Sequence, residues 1–170
     1  MKKILFILLF FVSTTTYPQY PQTELVKYAE SYLFVREIKP NRSPEIDSMN
    51  TAVHVPLGSS WCASFVSWVF TNNYIPNPQS AWSPNFAKQK DKIWGKNLKN
   101  NINIKQDDVC TFYYSNLGRV GHVEIIYKAD DKYIYTISGN TNVTGSREGD
   151  GCYRKKRELS KVYAITRYIK

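Results

Sequence analysis

The chain changes texture near its midpoint. Before residue 95 its apolar positions recur at helical spacing, and from Val109 onward they come in short β-branched and aromatic runs. Thr23 to Phe34 predicts a first helix, with Thr23 as N-cap and Leu25, Val26, Ala29, Tyr32 and Leu33 as its apolar stripe. Glu37 to Gly58 is rich in Pro, Asn and Ser, which predicts a long loop with one helical turn around Pro44 to Met49. Ser60 to Asn72 is apolar on most faces, as a central buried helix must be. Pro76 and Pro78 break the stretch from Asn73 to Ser83, and a short third helix is expected over Pro84 to Trp94, with Pro84 in its first turn.

The strands are expected at Val109–Tyr114, Val120–Tyr127, Tyr133–Ser138, about Gly151–Arg154 and Val162–Tyr168. Turns fall at Asn116-Leu117-Gly118 and Asp130-Asp131. Helices first and an antiparallel sheet afterwards predict one α+β domain, N-terminal helices packed on a C-terminal sheet.

The N-terminus reads differently. Lys2 and Lys3 precede an unbroken apolar run from Ile4 to Val12, then small polar residues from Ser13 to Thr16. That is the layout of a secretory leader. The run is too short to span a bilayer, which takes about 20 apolar residues. Residues 1–19 are therefore expected to be a signal peptide, cut between Ser13 and Tyr20, and residues 20–170 a single exported domain, periplasmic or extracellular, without stable membrane insertion.

Charge adds a hint about surroundings. The formal net charge is +9, and removing Lys2 and Lys3 with the leader leaves +7. A basic exported protein suits polyanionic surfaces such as cell-wall polymers. The Arg154-Lys155-Lys156-Arg157 run is expected to be a solvated strand end. Three cysteines in an exported chain leave one unpaired. Cys62 is the natural free one, which leaves Cys110 and Cys152 to form a disulfide if they meet in space.

Cys62 opens the apolar helix, and with Ser59 as N-cap it falls in the first turn. Unpaired backbone N–H groups and the helix dipole there favour the thiolate. His122, in Gly121-His122-Val123-Glu124, stands on an expected strand. An imidazole beside a thiolate is a nucleophile pair; a buried structural cysteine and an unrelated strand histidine remain the alternative.

The segment Trp61-Cys62-Ala63-Ser64-Phe65-Val66-Ser67-Trp68 resembles the nucleophile segment of the CHAP family, small papain-like cysteine- and histidine-dependent amidohydrolases and peptidases of peptidoglycan. Asp108-Val109 with Gly121-His122-Val123 resembles that family's strand entry and histidine strand. Ile137-Ser138-Gly139-Asn140-Thr141-Asn142 resembles its Glu-Gly-Asn-Thr segment, and Gly149-Asp150-Gly151-Cys152-Tyr153-Arg154 its late Gly-Asp-Gly-Val-Tyr-Arg strand. The resemblance runs over about residues 23 to 168. It implies a papain-like fold, Cys62 as nucleophile, His122 as general base and an amide bond of peptidoglycan as substrate. That bond is either N-acetylmuramoyl-L-alanine or a stem or cross-bridge peptide bond. It implies no metal, no organic cofactor and no nucleic-acid partner, and a monomer is expected.

The orienting residue departs from the family pattern, because Ser138 stands where Glu is common. Asn140 is then the expected third member. Glu124 competes, since it projects from the same strand face as His122. Trp61, next to the nucleophile, is expected on the groove floor as a substrate contact. Asp108 is expected to cap the strand entry, and His54 to be an exposed loop residue. The alternatives are a non-catalytic wall-binding module of the same fold and a papain-like protease acting on protein.

Overall fold

A computed structural model describes residues 21–88, 92–95, 103–144 and 149–169. The expected leader lies outside the described residues. Helix α1 spans Glu24–Glu30, with Thr23 Oγ1 accepting from the Val26 N–H as its cap. Helix α2 spans Pro44–Ala52, two turns where the sequence predicted one; Ser43 caps it through the Ile46 N–H, and Pro44 fits the first turn. Helix α3 spans Cys62–Asn72 and is buried along nearly its whole length.

The region expected to form a third helix does not. Ser83–Ala87 is a short 3₁₀ turn, and Lys92–Gly95 is strand β1. Strands β2 (Val109–Tyr114), β3 (Arg119–Ala129), β4 (Tyr133–Thr141), β5 (Gly151–Glu158) and β6 (Ala164–Thr166) complete the set. They form one antiparallel sheet in the order β1-β6-β2-β3-β4-β5. The expected turns are both present. Gly118 takes the left-handed conformation at φ 63° between β2 and β3, and Asp130 accepts the N–H groups of Lys132 and Tyr133 between β3 and β4.

The α+β expectation therefore holds, with the helices on one face of the sheet. That face carries Val109, Val123, Ile125, Ile137 and Cys152 against Phe65, Val66, Val69 and Phe70 of α3. The other face carries a second cluster: Cys110, Phe112, Ile126, Ile134, Val162 and Ile165. Each fully buried aliphatic or aromatic side chain contributes roughly 1.5–3 kcal/mol.

The proposed disulfide is overturned by this layout: Cys62, Cys110 and Cys152 are all free and buried. Strands β3 and β4 separate β2 from β5, so three strand spacings of about 4.8 Å lie between Cys110 and Cys152. The two thiols also belong to the clusters on opposite faces. A disulfide needs Cα atoms within about 7 Å.

One topological detail makes room for a site. The β3–β4 ladder stops at Ile125↔Ile137, whereas β4 continues to Thr141 along β5 alone. Past that point β4 is laddered to β5 only, and the start of α3 packs against it at Gly139. The fit is close. A Cβ on Gly139 of β4 would stand 2.7 Å from Trp61 Cζ3 and 2.8 Å from Phe65 Cβ, so glycine lets the helix reach the sheet.

Candidate active site

The sequence between α2 and α3 fixes where the thiol goes. Asn50 Nδ2 donates to the Ser59 carbonyl at 3.1 Å, and Ser64 Oγ donates to Asn50 Oδ1 at 2.7 Å, tying the turn before Cys62 to α2. Ser59 does not cap α3 as expected; its hydroxyl donates to the Pro56 carbonyl at 2.7 Å. The helix begins later, at Cys62, and its N-cap residue Trp61 makes no side-chain cap bond. The thiol thus occupies the first helical position, where amide N–H groups have no intrahelical partner and the dipole favours an anion.

Cys62 and His122 come together. Their side chains share a hydrogen bond, Ser83 Oγ lies 3.4 Å from Cys62 Sγ, and the Val123 backbone also bonds the sulfur. Burial alone pushes the Cys62 thiol up; the adjacent His122 charge and these hydrogen bonds outweigh it, and the thiol lies below its ordinary value. Burial alone likewise lowers His122, but the Cys62 thiolate and the Glu124 carboxylate raise it to about 9. Opposite shifts of this kind favour a thiolate–imidazolium pair at neutral pH.

The far side of the ring is equally well held. His122 Nε2 lies 2.8 Å from Ser138 Oγ and 3.1 Å from Glu124 Oε1, which leaves Nδ1 to face the thiol. Glu124 is fully buried, and such a carboxylate survives only when its oxygens are satisfied. Thr136 Oγ1 donates to its Oε2 at 2.6 Å. Arg157 Nε donates at 3.1 Å to Oε1 and 3.3 Å to Oε2, and its Nη2 also donates to Oε1. Burial alone would raise the Glu124 carboxyl, but His122 and Arg157 hold it well below the usual carboxylate range. Arg157 itself lies 5.4 Å from the Phe112 ring centroid, wedged between that ring and the carboxylate.

Asn140 is not among the hydrogen-bond partners of His122 in the described residues. It takes a left-handed φ of 52°, where the β4–β5 register slips between Ser138 and Thr141. Asparagine tolerates that conformation better than most residues. The bulge points its side-chain oxygen at the Gly149 backbone, 2.3 Å from where a Gly149 Cβ would sit. It still lines the same cleft as Cys62 and His122.

Trp61 does not form the groove floor. It is fully buried, its indole N–H donates to Glu37 Oε1 at 2.9 Å, and its ring packs edge-on against Phe65. The aromatics that line the cleft are Tyr114 and Trp82, the latter half exposed. Asp108 accepts the Lys105 N–H at 2.8 Å and two hydrogen bonds from Arg167, each 2.7 Å, so it does brace the strand entry. His54 is exposed, away from the cleft.

The cleft has a volume of about 390 Å³ and runs past Ser59, Ser60, Cys62, Ser83, His122 and Asn140. Among the described residues, no cluster of three or more His, Cys, Asp and Glu side chains could hold a metal ion. No described helix is long and apolar enough to cross a membrane.

Sequence reasoning missed Ser83, Thr136, Ser138 as a ring partner, and Arg157. Period-two alternation was the available signal for the last. With Cys152 facing the helices, Tyr153, Lys155 and Arg157 face the opposite side, the one that carries Glu124 and Thr136.

Comparison with protein families agrees with this geometry: the model of the CHAP domain matches residues 54–140, a span that contains Cys62, His122, Glu124 and Asn140. No curated protein and no solved structure matches the chain significantly.

Proposed function

Since the chain belongs to the CHAP domain family, we propose that it is an exported cysteine hydrolase that cleaves an amide bond of bacterial peptidoglycan. The observation that carries this reading is the Cys62–His122 pair: a lowered thiol against a raised imidazole, open to a cleft at the start of α3. Two buried structural residues would have no need of opposed shifts, and a pure binding module would have no need of an activated thiol.

The chemistry is set by these residues. The Cys62 thiolate attacks the amide carbonyl carbon, forming a C–S bond. The developing oxyanion is met by the backbone N–H of Cys62 at the helix start. The His122 imidazolium gives its proton to the departing nitrogen, the C–N bond breaks, and the amine leaves a thioester on Cys62. Neutral His122 then takes a proton from water, the hydroxide attacks the thioester, and the thiolate leaves. Glu124 is the orienting member, holding Nε2–H while Arg157 keeps the carboxylate ionised. Asn140 contributes to the wall of the cleft.

Export is supported by Lys2-Lys3 and the Ile4–Val12 run. N-terminal sequencing of the exported protein should find a start between Ser13 and Tyr20; exported protein still beginning at Met1 contradicts this. The bond is either N-acetylmuramoyl-L-alanine or a peptide bond of the stem or cross-bridge. Mass spectrometry of muropeptides after digestion of purified sacculi tests the reading. New peptide termini or peptide-free glycan are expected; sacculi left chemically unchanged, with an unrelated protein cut instead, refute it.

A further inference from the structure

The cleft contains a cation that the mechanism does not use. Among the described arginines, Arg42, Arg154, Arg157 and Arg167 pair with Asp47, Glu30, Glu124 and Asp108. Arg36 directs one guanidinium nitrogen to three backbone carbonyls. Arg119 has no carboxylate partner among the described residues. Its Nη1 donates to the Val120 carbonyl at 2.9 Å, and its Cζ lies 4.1 Å from the Trp82 ring centroid.

Both side chains line the same cleft as Cys62, and among the described residues no Asp or Glu does. The other charges there are answered: Cys62 by His122, and Arg157 by Glu124. Among the described residues, Arg119 is the charge left over. Stacking on an indole face fixes a guanidinium and leaves its edge N–H groups directed outward, the arrangement that suits two-point recognition of a carboxylate. Arg119 is half buried, so such a contact is less screened than one on open surface.

We propose that Trp82 and Arg119 form a carboxylate-binding subsite beside Cys62, so that the preferred substrate carries a free carboxylate close to the scissile amide. Stem peptides of the wall carry such groups. The proposal rests on Cys62 being the nucleophile of an amide hydrolase, and it adds the charge of the preferred substrate.

The test compares wall stem-peptide fragments with the same fragments after their carboxyls are converted to carboxamides. For the wild-type protein, kcat/KM should favour the acid form by roughly ten- to a hundredfold, the range expected for hydrogen bonds to a charged group. Arg119→Gln should bring that ratio close to one, Arg119→Lys should keep part of it, and Trp82→Ala should reduce it. A wild-type ratio near one, or a ratio undiminished in Arg119→Gln, overturns the subsite. Calorimetric binding to Cys62→Ala separates this from the hydrolase reading. If folded wild-type protein cuts neither form, the hydrolase reading fails, and binding alone then decides. At least tenfold tighter binding of the acid form, lost in Arg119→Gln, supports the subsite; equal binding of both forms overturns it.

Discussion

His122 Nε2 lies 3.1 Å from Oε1 of Glu124, two residues further along the same strand, and Arg157 Nε donates to the same oxygen at 3.1 Å. One short stretch of β3 therefore carries both the proposed base and the group proposed to orient it. Glu124→Gln should lower kcat roughly 10²- to 10⁴-fold, as expected when an imidazole loses its ionised partner. The same change leaves the Arg157 charge without its partner and should cost about 3–5 kcal/mol of stability. Asn140→Ala should affect kcat far less, since its oxygen points to Gly149 rather than the ring. Steady-state kinetics with thermal melts decides; a mild Glu124→Gln beside a crippled Asn140→Ala reverses the assignment.

Much of this site was legible in the sequence, and the failures have physical causes. Cys62 and His122 were visible because a helix start and a strand each impose a local chemistry on one residue. Glu124 was visible as a competitor because period-two alternation places it beside His122. Asn140 was favoured over it because nothing local announces a left-handed bulge at residue 140, nor an arginine two strands away that makes a buried Glu124 tolerable. Trp61 was misplaced because adjacency along the chain does not say which way a side chain turns at a helix start. Strand β1 was hidden because its pairing with β6 is set by tertiary contact with residues about 70 positions away.

The pH dependence of turnover is set by the directions of the shifts. The imidazolium must supply a proton to the leaving amine, so kcat/KM should fall as pH rises through about 9, the value to which His122 is raised. Because thiol and imidazole titrate as a pair, that limb belongs to both. An alkaline limb near 6.5, the ordinary histidine value, would contradict the Glu124 and Cys62 contacts.

Glu124 acts on stability in the opposite range. Its folded-state carboxyl lies below the ordinary value, so its contribution is complete above about pH 4.3 and is lost as pH falls through the folded value. Melting temperature should therefore drop in acid, and the drop should be smaller in Glu124→Gln. Equal acid sensitivity in the two proteins would show the stabilisation to lie elsewhere.

Gly139→Ala tests the fit of helix to sheet. The added methyl meets the Trp61 ring and Phe65 Cβ inside 3 Å, contacts that have no room to yield. The substitution should cost about 1–3 kcal/mol and shift the start of α3 relative to His122. A melting temperature within a degree of wild type would mean that the strand and helix have slack.

Thiol chemistry distinguishes the three cysteines. Burial pushes the Cys152 thiol up to about 12 and the Cys110 thiol up as well, whereas the Cys62 thiol is lowered. Iodoacetamide at pH 7 should label Cys62 first in the folded protein, and all three once it is unfolded without reductant. Only one labelled thiol after unfolding would restore the Cys110–Cys152 disulfide.

Hydrolysis of purified peptidoglycan by Cys62→Ala, measured beside the wild-type protein, tests the central claim most directly. The substitution removes one sulfur from the start of α3, so the melting temperature should stay close to that of the wild type. Turnover should fall by about 10⁴-fold or more, as for deletion of other covalent nucleophiles. A folded Cys62→Ala protein that still releases wall fragments at the wild-type rate would contradict it.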